Sequence, residues 1–246
     1  MSENAGYPFS CIIPALHEAE GINACLARLF RHVSPAVCEV IVVDGDASGS
    51  TIRRIAHPTV VTLCAPRGRG AQMNVGAQRA QGECLIFLHA DTTLPANAFA
   101  RIQETLANSP CVAGAFTLRF DSPRRGFRVI ETAAAWRFRL TRLPYGDQAM
   151  FMSRAYFRQI GGFAEIPLME DLDLMRRIKR RGDRICILPD AVTTSARRWE
   201  QEGVLYCVLR TWILAVLFCA GVSPQTLARY YRVWRSGAHQ GKEVSA

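Results

Sequence analysis

The chain has 246 residues, 49% hydrophobic and 21% charged, with a formal net charge of +9 at pH 7. Those proportions exclude a disordered or collagen-like chain and allow a sizeable buried core. The positive charge is almost wholly arginine, Lys179 and Lys242 being the only lysines; such a balance favours phosphate-bearing or acidic-lipid partners.

The predicted elements run in chain order as follows. Residues 9–13 form a short apolar strand stopped by Pro14, and Ile22, Cys25, Leu26 and Leu29 then fall on one helical face. Residues 40–43 make a second strand, followed by a polar turn and a helix that Ser48 or Ser50 would cap. TVVTLCAP is a third strand, RGRGAQMNVGAQRAQGE a Gly-rich start to a helix, and CLIFLHADTTLP a fourth strand. Strands alternating with helices predict an α/β fold with a parallel, doubly wound sheet. Beyond about residue 110 the alternation loosens into a mixed half: strand CVAGAFTLRF, an Arg-studded helix over 127–143, strand and short helix in YGDQAMFMSRAYFRQIGGF, helix MEDLDLMRRIKRRG, and a last strand from DRICILPD. Both halves are expected in one domain.

Residues 204–222 are the most apolar stretch, nearly long enough to span a bilayer. Arg210 within it counts against a span, at about 2.5 to 3.5 kcal/mol near a bilayer centre. Arg229, Arg232 and Arg235 interleave with Tyr230, Tyr231 and Trp234, a mixture suited to a membrane interface. A surface-lying or helix-packing role is therefore favoured, with a homodimer left open.

Nine cysteines, without a C-x-x-C pair, lie mostly in apolar runs (Cys11, Cys64, Cys84, Cys111, Cys186, Cys219). They read as reduced, buried thiols of a cytoplasmic protein, and MSENAGYPFS lacks the layout of a secretory signal.

Candidate chemistry collects at strand ends, where open α/β sheets bind ligands. Glu18 follows the first strand, Asp44 the second, Arg67 to Asn74 (including Gln72) the third, and His89 and Asp91 the fourth. Each alone reads equally as a turn former or cap. Together they describe a nucleotide site in which Asp91 offers an oxygen ligand to a metal. The first turn, ALHEAEG, lacks G-x-G-x-x-G, so dinucleotide chemistry is not supported. Acid-bearing strand ends also argue against nucleic acid as a partner.

The order of CIIPALHEAEGI, VIVVDGDASGST, RGRGAQMNVGAQRAQGE, LIFLHADTTLP, YGDQAMFMSR and GGFAEIPLMEDLDLMRRIKRRG resembles family 2 glycosyltransferases of GT-A fold, over residues 8–235. Within that family the chain is most similar to a small bacterial branch tagged with arsenosugar biosynthesis. The resemblance implies a catalytic domain over 8–203, its nucleotide-sugar half 8–110 and acceptor half 111–203, followed by a helical segment 204–246. It implies that Pro14, Glu18, Asp44, Arg67, Gln72, Asn74, His89 and Arg198 serve the nucleotide-sugar donor, with Asp44 on the base. His89-Ala90-Asp91 matches the family's D-x-D, so Asp91, with His89 in place of the first Asp, would hold a divalent cation (Mn2+ or Mg2+). Asp171, beside Glu170, matches the general base of an inverting transfer. Gly146, Asp147, Gln148 and Trp199 would line the sugar or acceptor side, the acceptor being small or lipid-linked. Two departures carry weight: the 44–51 turn has Ala47 and Gly49 where the family has Ser and Asp, and Ser195 replaces the Gln of processive synthases. They motivate a second reading, a catalytically weakened GT-A fold that binds a nucleotide or a membrane-associated partner.

Overall fold

Continuous apolar runs in the first strands produce a sheet covered on both faces. The computed structural model describes residues 7–231. In it β1 (Phe9–Ala15), β2 (Cys38–Asp44), β3 (Val61–Cys64) and β4 (Cys84–Phe87) are parallel neighbours in the order β3-β2-β1-β4. Cys11, Ile13, Val40, Val42 and Ile86 enter one core, against α1 (Ile22–Phe30) and α3 (Ala98–Asn108). Their neighbours Ile12, Ile41, Val43, Leu85 and Phe87 enter the other, against α2 (Arg69–Arg79), α5 (Arg154–Gln159) and α6 (Glu170–Arg180). Successive strand residues point to opposite faces, so these runs are apolar throughout. Each large side chain so buried contributes about 1.5–3 kcal/mol.

The second half extends the same sheet. β7 (Met150–Ser153) pairs antiparallel with β4, β6 (Cys111–Phe120) antiparallel with β7, and β8 (Arg184–Thr194) parallel with β6; β5 (Thr92–Thr93) closes the edge against β8. The result is a mixed α/β protein with one eight-stranded, mostly parallel sheet. α4 (Arg125–Thr141) lies on β6, and α7 (Arg197–Glu202), α8 (Val204–Cys219) and α9 (Pro224–Tyr230) follow the last strand.

Three expectations are corrected. The helix after β2 is only a 3-10 turn over Ile52–Arg54, which neither Ser48 nor Ser50 caps: Ser48 bonds Asp46 instead, and Pro58 closes the segment. The cysteines are not uniformly reduced and buried. Cys111 and Cys186 are joined in a disulfide between β6 and β8, their Cα atoms 5.9 Å apart, while Cys64 and Cys219 are exposed. Spacing in sequence gave no hint of the bond because its partners lie 75 residues apart. Arg210, weighed above as a charge facing lipid, is buried and paired with Glu202 at 2.5 Å. Among the described residues no helix is long and apolar enough to cross a membrane. Arg232, Trp234 and Arg235 lie outside the described residues.

Candidate active site

Because β1, β2 and β4 run parallel, their C-terminal ends share one rim. Four of the residues named above are held by backbone groups. Asp44 is fully buried, and its carboxylate accepts the backbone N–H groups of Asp46, Thr51 and Ile52 at 3.0, 2.8 and 3.3 Å. It holds its own turn. Gln72 donates from one amide nitrogen to the carbonyls of Ala15 and Val43, at 2.7 and 2.8 Å, strapping the ends of β1 and β2 together. Asn74 pairs twice with the backbone of Phe163, 2.9 Å each way, fastening α2 to the loop before α6. Gln148 donates to Phe116 O at 2.8 Å and accepts from Tyr145 N at 3.0 Å. All are buried or half-buried amides and acids with backbone partners, which is how such groups avoid the cost of an unmade hydrogen bond. Pro14 lies buried within β1, in register with Val43.

Titratable groups converge at the same rim. His89, just past β4, is half-buried and its pKa is pushed down to about 3, first by burial and then by Arg69, so its imidazole is neutral. Asp91 is exposed, yet the protein around it raises its pKa by desolvation, with Arg198 pulling it back. Glu18 is raised by burial and then by the charge of Asp91. Asp147 has a buried Oδ1 without a hydrogen-bond partner. Burial pushes its pKa up to about 6, Arg137 opposing and Asp171 adding to the rise. Opposite stands Asp171 in the first turn of α6. Its Oδ2 accepts the Gly146 N–H at 2.6 Å and its Oδ1 the Leu172 N–H at 2.7 Å. A Cβ on Gly146 would lie 3.2 Å from both Asp171 Oδ2 and His89 Nε2, so the 3-10 turn Gly146–Gln148 packs directly between them.

Glu170 faces the other way. It is 2% exposed and paired with Arg69 Nε at 2.8 Å; burial raises its pKa, and Arg69 counters. Arg69 and Arg137 were missed at the level of sequence, where nothing ties Arg69 to an acid 101 positions away. Arg67 is exposed, lining a cleft of about 220 Å3 with Pro167, Leu168 and Tyr231. Arg198 donates to Tyr231 OH at 2.7 Å. Trp199, half-buried, stands edge-on to Phe120, ring centres 5.2 Å apart.

A group of three or more metal-ligating side chains is absent among the described residues. A cation that takes most of its ligands from a diphosphate and water needs only one or two protein carboxylates. Asp91, open to solvent beside a neutral His89 and sensed electrostatically by Glu18 and Asp147, fits that requirement.

A mostly parallel sheet whose nucleotide-type half carries acids at its strand ends, joined to a mixed half bearing a carboxylate at a helix start, is the GT-A architecture. The chain belongs to glycosyl transferase family 2, whose sequence model matches residues 10–161. No curated protein sequence matches it. Among solved structures it is similar to the mannosyltransferase PcManGT from Pyrobaculum calidifontis in complex with GDP-Man and Mn2+, at 22% identity and TM-score 0.58, covering 77% of this chain and 58% of that one. It is also similar to S. aureus TarS 1–349, at 18% identity and TM-score 0.60, covering 89% of this chain and 68% of that one. A structure of TarS 1–349 in complex with UDP-GlcNAc gives 17% identity and TM-score 0.59, covering 76% of this chain and 58% of that one. At these identities the likeness is one of fold.

Proposed function

We propose that the protein transfers a glycosyl group from a nucleoside-diphosphate sugar, UDP-linked by first preference, to a hydroxyl of a small or lipid-linked acceptor, with inversion. The observation that carries this reading is the anchoring of Asp171. Two backbone N–H groups fix its carboxylate, and each oxygen keeps a lone pair for a proton. Asp171 lies in the first turn of α6. Asp171 would take the acceptor's hydroxyl proton as that oxygen attacks the anomeric carbon from the face opposite the leaving diphosphate. Neutral His89 supplies a hydrogen-bonding nitrogen without competing positive charge, and Asp147 offers its unpaired oxygen to a sugar or acceptor hydroxyl. Asp91, with His89, would hold a divalent cation (Mn2+ or Mg2+), which when bound neutralises charge on the diphosphate. Arg198 stands near Asp91 and Asp147 and suits the same diphosphate.

The wording of QMN.GA, FLHADT, GDQ.MF and SARRWE supports membership of the arsenosugar-associated branch. The test is calorimetric binding of UDP, GDP and their sugars, with Mn2+ and with EDTA. GDP-Man and UDP-GlcNAc, present in structures of similar fold, head the screen. Metal-dependent binding of one nucleotide is expected. Folded protein that binds none of them would abandon the transferase reading for the weakened-fold one.

A further inference from the structure

The last helices carry a surface that the reaction does not use. On α8, Leu205, Leu209, Trp212 and Val216 recur at spacings of four, three and four residues and so share one face. All four are exposed, Leu205 by 70% and Val216 by 66%. The one charged residue of α8, Arg210, is withdrawn from that face. It is 8% exposed, paired with Glu202, and lies 4.9 Å from the ring centres of Tyr206 and Tyr231. α4 packs against α8 and repeats the pattern with Val129, Trp136 and Leu140, the last 79% exposed. Isolated exposed apolar residues need no explanation, but two touching helices that each turn an apolar stripe outward mark an interaction surface.

The surroundings of these stripes select the partner. Arg125 and Arg139 flank the α4 stripe, Arg142 follows it, and Arg229 stands exposed on α9. Two copies of this chain meeting face to face would bring those cations together, whereas an anionic surface would satisfy them. Tryptophan on each stripe, Trp136 and Trp212, is the residue type enriched at the headgroup level of bilayers. The helix is too short to cross a bilayer, because 16 residues rise only about 24 Å, short of the ~30 Å hydrocarbon core.

We propose that the outward faces of α4 and α8 dock the protein on an anionic lipid bilayer, with α8 in the plane of the headgroups. The inner face of α8 gives this a consequence for the site: Leu214 and Ala215 pack on Leu168, Met169 and Leu172, the residues that bracket Glu170 and Asp171. Docking would hold the start of α6 beside the membrane, where a lipid-carried acceptor is delivered.

The test needs neither donor nor acceptor, so its outcome is separate from that of the transferase reading. Full-length protein is sedimented with phosphatidylcholine vesicles, with and without phosphatidylglycerol. Wild type is expected to pellet with the anionic vesicles. Arg139→Ala should weaken that partition by about fivefold. Leu209→Glu with Val216→Glu, and separately Trp136→Glu with Leu140→Glu, should leave the protein in the supernatant with its melting temperature unchanged. Folded wild type that stays in the supernatant with both vesicle types overturns the proposal. So does unchanged pelleting of the stripe variants, or a wild-type dimer in vesicle-free solution that those variants split.

Discussion

The Gly146 N–H donates to Asp171 Oδ2 at 2.6 Å, joining a turn before β7 to the start of α6 across 25 residues. Nothing larger than glycine fits there without moving a neighbour, since a Cβ would lie 3.2 Å from both that oxygen and His89 Nε2. Gly146→Ala should therefore displace Asp171 or His89 by a few tenths of an ångström while the sheet stays intact. Such misplacement is expected to lower kcat by about 10–100-fold, with nucleotide affinity little changed. Wild-type kcat in the alanine variant would mean that this contact does not position the site.

Asp171→Asn keeps an oxygen for the Gly146 N–H and loses the basic group. Transfer should fall by about 10^2–10^4-fold, with metal-dependent nucleotide binding retained. Calorimetry alongside a turnover assay checks both halves. Undiminished turnover would remove Asp171 as the base.

Asp147 gives a pH dependence of defined sign. Its pKa is raised in the folded protein to about 6, above the ~3.9 of an unfolded aspartate. The stability it contributes is therefore fully present below about pH 4 and is lost as pH rises through 6. Asp147→Asn should match wild type near pH 4 and exceed it by about 1–3 kcal/mol at pH 8. Urea unfolding of both proteins between those limits measures the difference. A pH-independent difference would show that the carboxyl ionises in the folded state as it does in water.

The Arg69–Glu170 pair, 40% and 3% exposed, is asymmetric. Arg69→Met strands a buried carboxylate and should cost about 1–3 kcal/mol, below the full value for a buried pair because Arg69 is partly solvated. Adding Glu170→Met should recover most of that loss. A double-mutant cycle by thermal unfolding measures the recovery, and purely additive losses would show that the two side chains act independently.

Thiol counting separates the structure from the plain reading of the sequence. Seven free cysteines and one Cys111–Cys186 disulfide account for all nine. Denatured, non-reduced protein should titrate with seven thiols, and reduced protein with nine. Nine in both would mean that the two sulfurs lie adjacent but unbonded.

What was legible in the sequence was what local periodicity encodes. The face of α1, the two-sided burial of β1, β2 and β4, and the placement of Asp171 in the first turn of a helix all follow from spacing within a dozen residues. Roles set by distant backbone were not legible. Gln72 and Asn74 carry the polar atoms expected of a donor site, yet their partners are main-chain groups 29 to 89 residues away, and a sequence does not display which carbonyls lack hydrogens. The edge-on contact of Trp199 with Phe120 was not legible for the same reason, the two rings lying far apart in the chain.

The pair of hydrogen bonds between Asn74 and Phe163 also bears on how the chain reaches its fold. It closes an 89-residue loop, a contact whose entropic cost is met only once intervening elements are in place. On a ribosome, β1 to β4 and their helices can associate while residues beyond 163 are still being made. The start of α6 is thus placed only after that half has formed, and a nascent chain truncated before Glu170 would carry the nucleotide-type half without Asp171.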